Sequence, residues 1–346
     1  MHMADALISP AVGGTMWAAS AGLLAYCARK IQQTLDDRLV PLMGVLGAFI
    51  FAAQMINFSI PATGSSGHLG GGLILAVLLG PHAAFVVIAS VLTVQALFFA
   101  DGGLLALGCN IFNLGFFPAF IALPLIYRPI VRGAHSGARL WVGAMLAAVV
   151  GLQLGALAVV AETTLSGISE LPFGNFVLLM QPIHLAIGVV EGLATAAVVA
   201  FVARVQPDAL AMPSSSVDHH VRLRPVLVGL LIATVLIGGA LSWFASSHPD
   251  GLEWSMGKVS GREELDAPAV GVHENAAKLQ ERTAFLPDYG FRATEPQSIE
   301  VAAAEEAEAW PAVSAGTTFS GIVGGALVML LAGLIGYALR MRRAPA

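Results

Sequence analysis

The sequence predicts an all-α polytopic membrane protein, a helical bundle of about seven spans followed by a two-span tail. Three observations point there. Of 346 residues, 57% are hydrophobic and 11% are charged, against roughly 25% charged in soluble domains. Apolar runs of the roughly 20 residues that a hydrocarbon core requires recur along the chain. Charge is also unevenly placed: residues 247–316 hold 13 acidic and 5 basic side chains, and the remainder holds 9 and 12. That contrast separates an acidic aqueous segment from a membrane body. Cys27 and Cys109 both lie in apolar runs, so no disulfide framework is expected.

Candidate spans fall at about 10–28, 40–58, 69–80, 83–100, 104–127, 140–162, 176–203, 225–245 and 318–339. Pro41, Pro61, Pro81, Asp101-Gly102-Gly103 and Pro172 break the apolar pattern between them. The third run is short and glycine-rich and reads as a broken or re-entrant helix, tolerated where protein or a cavity satisfies its backbone. Orientation follows from Lys and Arg. Arg29, Lys30 and Arg38 follow the first span; Arg128, Arg132 and Arg139 the fifth; Arg204, Arg222 and Arg224 the seventh; Arg340, Arg342 and Arg343 the ninth. With the N-terminus outside and the C-terminus cytoplasmic, all twelve lie on the cytoplasmic side. The polar stretch 205–224 reads as a cytoplasmic linker. It divides a membrane domain, 1–204, from a tail, 225–346, whose outer segment is 247–316.

That orientation places two chemically distinctive stretches on the outer face. No signal peptide is expected before Met1, and His2 protects the initiator Met from removal, so the expected mature chain begins Met1-His2. Its amine, the His2 amide nitrogen and the His2 imidazole form a five- and a six-membered chelate. Three coplanar nitrogens suit Ni(II) or Cu(II), whereas Zn prefers a tetrahedron. His68, within Ser65-Ser66-Gly67-His68-Leu69-Gly70-Gly71-Gly72, is the candidate fourth ligand, since its glycines permit close backbone approach. Met1, His2 and His68 are thus the expected metal ligands.

Polar residues at membrane depth are costly and default to functional hypotheses. Gln54 and Asn57 lie one turn apart, and Gln95, Asp101, Asn110 and Asn113 cluster around the next outer turn. Together with Asp5 and Ser65 they are candidates for orienting the ligands or lining an entry path; interhelical hydrogen bonding is the plainer reading. His184 and Glu191 share a helical face, as a relay or as a satisfied buried pair. His82, His135, His219, His220, His248 and His273 are not expected to be ligands. The small-residue pairs, Gly13-Gly14, Gly44 with Gly47, and Gly321 with Gly324-Gly325, read as helix packing. The chain lacks a phosphate-binding loop for ATP, a zinc-protease motif, a hydrolase elbow and a basic surface for nucleic acid.

Met1 through Pro10, Ser65 through Gly72, Ala100-Asp101-Gly102-Gly103 and Gly108-Cys109-Asn110-Ile111-Phe112-Asn113 resemble the substrate-binding membrane component (CbiM/NikM family) of nickel/cobalt energy-coupling-factor (ECF) transporters. Pro249-Asp250-Gly251-Leu252-Glu253 and Leu286-Pro287-Asp288-Tyr289-Gly290-Phe291 resemble the small N component, the PDGLE-domain protein. The likeness covers essentially the whole chain in the order of an M–N fusion. It implies a substrate-specific subunit of an ATP-driven importer in the cell inner membrane, with Ni(2+) or Co(2+) as transported substrate. The metal would be held by the Met1 amine, the His2 main-chain and imidazole nitrogens and the His68 imidazole. The chain itself would be no enzyme: a transmembrane coupling (T/Q) component and cytoplasmic ATPase (A/O) subunits would be separate partners, and the N part would assist loading or coupling. The alternative is an ion-driven secondary transporter or channel, with an ionisable residue such as Glu191 at its centre.

Overall fold

The computed structural model describes residues 2–34, 39–134, 136–206, 223–292 and 310–342. Arg38, His135, His219, His220, Arg222, Arg343 and most of the expected linker lie outside those residues. The order is a 3-10 turn (Asp5–Leu7), α1 (Pro10–Thr34), α2 (Leu39–Gln54), a hairpin of β1 (Phe58–Ile60) and β2 (Ser65–Gly67), α3 (Gly72–Leu79) and α4 (Pro81–Phe98). There follow α5 (Leu107–Phe116), which runs on through a π-helical stretch (Phe117–Tyr127) into α6 (Arg128–Val131), then α7 (Ala138–Ser166) and α8 (Phe173–Val205). The tail comprises α9 (Arg224–Gly239), α10 (Gly251–Ser260), α11 (Gly271–Thr283) and α12 (Ala315–Met341).

Among the described residues six helices are long and apolar enough to cross a membrane, and α2 and α9 are shorter apolar helices. The expected third span is α3, eight residues long, set between Gly71 (φ 75°) and Gly80 (φ 78°). These left-handed glycines let the chain enter and leave a helix of little more than two turns. The winding between α5 and α6 widens where Pro118 and Pro124 interrupt the chain. Proline supplies no N–H to the preceding turn, and a π-helical stretch absorbs the loss.

α2 is buried on every side from Leu42 to Gln54, as expected of a helix that is apolar all round. One side meets the body. The other is covered by the tail: a side chain at Gly44 would meet Met329, one at Gly47 would meet Val328, and Gly321 lies backbone to backbone with Gly238. The small residues therefore pack helices, as read from the sequence, and several join tail to body.

The motif 249–253 is a helix start. Asp250 caps α10, its Oδ1 accepting from the N–H groups of Leu252 (2.7 Å) and Glu253 (2.9 Å), while Glu253 Oε2 accepts from the Asp250 N–H (2.9 Å). This reciprocal capping box satisfies N–H groups that a helix start otherwise leaves unpaired. Gly251 stands where a Cβ would lie 2.5 Å from Ile183 of α8, so only glycine lets the cap sit this close.

Candidate metal centre

The N-terminal arm is a plug. Met3, Leu7 and Ile8 are fully buried, and polar partners fix the backbone between them. The Met3 N–H donates to Asn110 Oδ1 (2.8 Å), and the Met3 carbonyl accepts from Asn110 Nδ2 (3.1 Å) and the Gly103 N–H (2.9 Å). Asp5 Oδ1 accepts from the Ala106 N–H at 2.9 Å, and a side chain at Gly103 would overlap the Asp5 carboxylate. Burial raises the Asp5 pKa against these backbone donors.

This anchoring sets His2 beside His68. Their rings stack with centroids 5.0 Å apart and planes 29° apart. A metal–nitrogen bond of about 2 Å puts a ring centre about 3 Å from its ion, so two rings on one ion stand about 4–5 Å apart. The pair has that spacing. His68 Nδ1 lies 3.0 Å from the Leu69 carbonyl; only a protonated Nδ1 can donate there, which leaves the lone pair on Nε2. Burial pushes the His68 pKa down to about 3, helped by His2, so the ring is neutral, the form that binds metals.

His2 Nδ1 lies 2.7 Å from Asp101 Oδ1, while His2 Nε2 is buried and has no hydrogen-bond partner among the described residues. A carboxylate on one ring nitrogen fixes the tautomer and offers the other nitrogen to an ion. The six-membered chelate with the His2 amide instead closes through Nδ1, and it requires the ring to turn off Asp101. Burial opposes ionisation of Asp101, yet His2 and hydrogen bonds from His2 and Tyr289 outweigh it and hold the carboxyl well below its usual range.

A family model described as the cobalt uptake substrate-specific transmembrane region matches residues 2–209. The chain belongs to that family. A PDGLE domain model matches residues 224–341. A putative fused nickel transport protein NikMN of Archaeoglobus fulgidus is 30% identical over 96% of this chain and 96% of its own length. The fused nickel transport protein NikMN of Rhodobacter capsulatus is 32% identical over 84% of this chain and 88% of its own. A crystal structure of a transition metal transporter is similar with a TM-score of 0.52 and 32% identity, covering 59% of this chain and 93% of the other. This CbiM-family protein is a multi-pass membrane component of metal transport, and its homologues are transport proteins rather than enzymes.

The CbiM-family core does not form the centre alone, because the PDGLE domain reaches it at two places. The Ser66 N–H donates to the Pro249 carbonyl (2.8 Å) and Ser66 Oγ to the His248 carbonyl (2.7 Å), which seats the α10 cap on the hairpin. A cavity of about 10 Å³ lies behind it, lined by His68, His184, Asp250 and Gly251 among others. On the other side Tyr289 Oη donates to Asp101 Oδ2 at 2.5 Å.

Of the site residues expected from sequence, His2, His68, Asp101, Gln54, Gln95 and Asn110 gather here. Gln54 Nε2 donates to the Gly70 carbonyl (2.9 Å), and Gln95 Nε2 donates to Gln54 Oε1 (3.0 Å). Met1 lies outside the described residues. Four others serve neighbouring structure. Asp5 closes the turn before α5. The Asn57 main-chain carbonyl accepts from the Ser246 N–H of the tail, at 2.7 Å, while its side-chain Oδ1 is buried with no hydrogen-bond partner among the described residues. Ser65 hydroxyl donates to the Ser66 carbonyl (3.1 Å). Asn113 Nδ2 donates to Glu162 Oε2 (2.7 Å) beneath Met3. His184 and Glu191 are not a pair: His184 Nδ1 donates to the Met180 carbonyl (2.8 Å), and Glu191 accepts from the Gly70 (2.6 Å) and Gly71 (3.1 Å) N–H groups. Glu191 thus anchors the glycine segment behind His68. His273, not expected as a ligand, lies with Nε2 2.9 Å from the Ile8 carbonyl.

Proposed function

We propose that this chain is the substrate-specific subunit of an ATP-driven importer and that it captures Ni(II), or Co(II), between its N-terminus and His68. The His2–His68 ring pair carries the reading: two imidazoles set at the separation of rings sharing one ion, His68 fixed through Nδ1 to the Leu69 carbonyl and His2 Nδ1 resting on Asp101 until the chelate takes it. The Met1 amine, nitrogens of His2 and the His68 imidazole are the proposed donors. Nickel is placed first because amide-nitrogen, planar ligation suits it, and because two fused relatives carry nickel in their names. Capture takes place on the outer face, in the orientation set by Lys and Arg. Inward transfer uses a transmembrane coupling component and ATPase subunits in other chains, since this sequence has no phosphate-binding loop. Glu191, engaged by backbone N–H groups on both oxygens, offers little to an ion-driven carrier.

The test is metal content after purification with the native N-terminus and exposure to equimolar Ni, Co, Cu and Zn. One equivalent of nickel is expected, lost on His2→Ala and on addition of one residue before Met1. Binding that survives the extension would remove the amine from the site. Uptake in cells should stop without the ATPase subunits; uptake that persists without them, but collapses with the ion gradient, would favour an ion-driven carrier.

A further inference from the structure

The motif 286–291 reaches the surroundings of both histidines through one hydroxyl. Tyr289 Oη donates to Asp101 Oδ2 (2.5 Å) and accepts from Gln95 Nε2 (3.3 Å). Asp101 holds His2 Nδ1. Gln95 passes the connection to Gln54, and Gln54 to the carbonyl of Gly70, two residues beyond His68. One uninterrupted chain of hydrogen bonds thus runs from the His2 arm to the His68 segment, and Tyr289 is its middle link. It is also the link that the PDGLE domain supplies.

The backbone on both sides of that link is unusual. Ala100 (φ 56°), Asp288 (φ 50°) and Tyr289 (φ 58°) are three of the five non-glycine residues with positive φ among the described residues. Side chains rarely adopt this region, and they persist in it only where the surroundings over-determine them, most often at functional sites. Here the surroundings are specific. The Leu286 and Asp288 N–H groups donate to the carbonyls of Phe98 (3.2 Å) and Phe99 (2.9 Å), and the Tyr289 ring stacks on Phe99 at 5.0 Å. The turn is pinned to the same backbone that carries Asp101, in the shape that points Oη at the carboxylate.

We propose that Tyr289 is a positioning residue of the metal centre: through Asp101 it sets the orientation of the His2 ring, and through Gln95 and Gln54 it ties that ring to the His68 segment. The inference rests on the proposed metal site. On the chelate proposed above the ion and Asp101 compete for His2 Nδ1, so a tail hydroxyl that holds Asp101 in place favours release of the ion. Outer partners of a metal-bound histidine commonly alter affinity about 10–100-fold.

The experiment uses the full chain with its native N-terminus in lipid nanodiscs, loaded with NiCl2, as wild type, Tyr289→Phe, Asp101→Asn and the double variant. Phenylalanine keeps the ring on Phe99 and removes only the hydroxyl. Release of nickel to a chelator and the visible ligand-field band of bound nickel are recorded. Tyr289→Phe is expected to slow nickel release about tenfold or more with a shifted band, and to have no further effect in the Asp101→Asn background. Faster release would overturn the inference, because it would place the ion on Nε2 with Asp101 as its support. Wild-type release, an unshifted band, or an effect that persists in Asp101→Asn would overturn the inference. Failure of the wild type to bind nickel would overturn the underlying site instead.

Discussion

Two stretches distant in sequence converge on the same few ångströms, and they hold their places differently. The N-terminal arm is buried by apolar side chains on both sides of His2's neighbours: Met3, Leu7 and Ile8 are wholly inside, and Asn110 clamps the Met3 peptide from both faces. The segment of the tail from Pro249 to Phe291 lies against it. It too buries apolar side chains, Leu252, Met256 and Leu286, but α11 buries only His273, and beyond these anchors it is attached by separate hydrogen bonds, Ser246 to Asn57, Ser66 to Pro249 and Leu286 to Phe98. Packed apolar residues and buried polar clamps resist local opening, whereas segments with few buried contacts open at lower cost. The difference assigns fixed geometry to the arm and adjustment to the tail.

The largest expected effect lies on the core side. His2→Ala or His68→Ala should abolish one-to-one nickel binding, measured by metal analysis after equilibrium dialysis. Full occupancy in His68→Ala would detach the loop from the site altogether. Next comes the clamp: Asn110→Ala should weaken nickel binding about 10–100-fold, read by competition with a chromophoric chelator. If affinity is unchanged, the arm is held by apolar burial alone.

On the tail side, Gly251→Val puts its Cβ 2.5 Å from Ile183 and should lift the α10 cap. Amide exchange across residues 249–260 should quicken, and the fluorescence of Trp254, whose Nε1 donates to the Thr63 carbonyl (3.0 Å), should change. Nickel affinity should fall less than in Asn110→Ala. A loss equal to that of Asn110→Ala would abolish the distinction between arm and tail.

The last effect is acidic and is read in stability instead of nickel affinity. The folded protein holds His68 at about 3 instead of 6.5, so below 6.5 the unfolded chain takes up a proton that the folded chain refuses. This contribution to stability is complete above 6.5 and is lost progressively as pH falls towards 3. Thermal melting of metal-free wild type should therefore drop more steeply across that window than melting of His68→Gln. Parallel curves would show that His68 takes up its proton without resistance.

The span pattern was legible in composition, and so was the short α3, because glycines and Pro81 mark its ends. His2 and His68 could be singled out by chelate chemistry and by the orientation rule. Their mutual distance could not, since it depends on Asn110 and Glu191 drawing two segments together. The glutamine pair shows why intramembrane amides are informative: Gln54 and Gln95 had few partners to choose from and found each other. Asn113 carries the same signal and serves another contact, with Glu162, whereas the buried Asn57 Oδ1 has no hydrogen-bond partner among the described residues. Tyr289 was beyond reach. It is 188 residues from Asp101, and no local pattern distinguishes a tyrosine that donates across a domain seam from one at a membrane interface. The capping box in 249–253 was readable as Asp followed three residues later by Glu; its docking on Ser66 was not.

The close seam between α2, α9 and α12 has a consequence for occupancy. Both ends of the outer segment are tethered to the body by helices, so its return to the hairpin is an intramolecular event. For short flexible tethers the effective concentration reaches the millimolar range. Contacts that would be too weak to recruit a separate polypeptide then suffice to keep the cap in place. A fused tail therefore holds its cap over the hairpin at an occupancy that a separate chain with the same contacts would not reach.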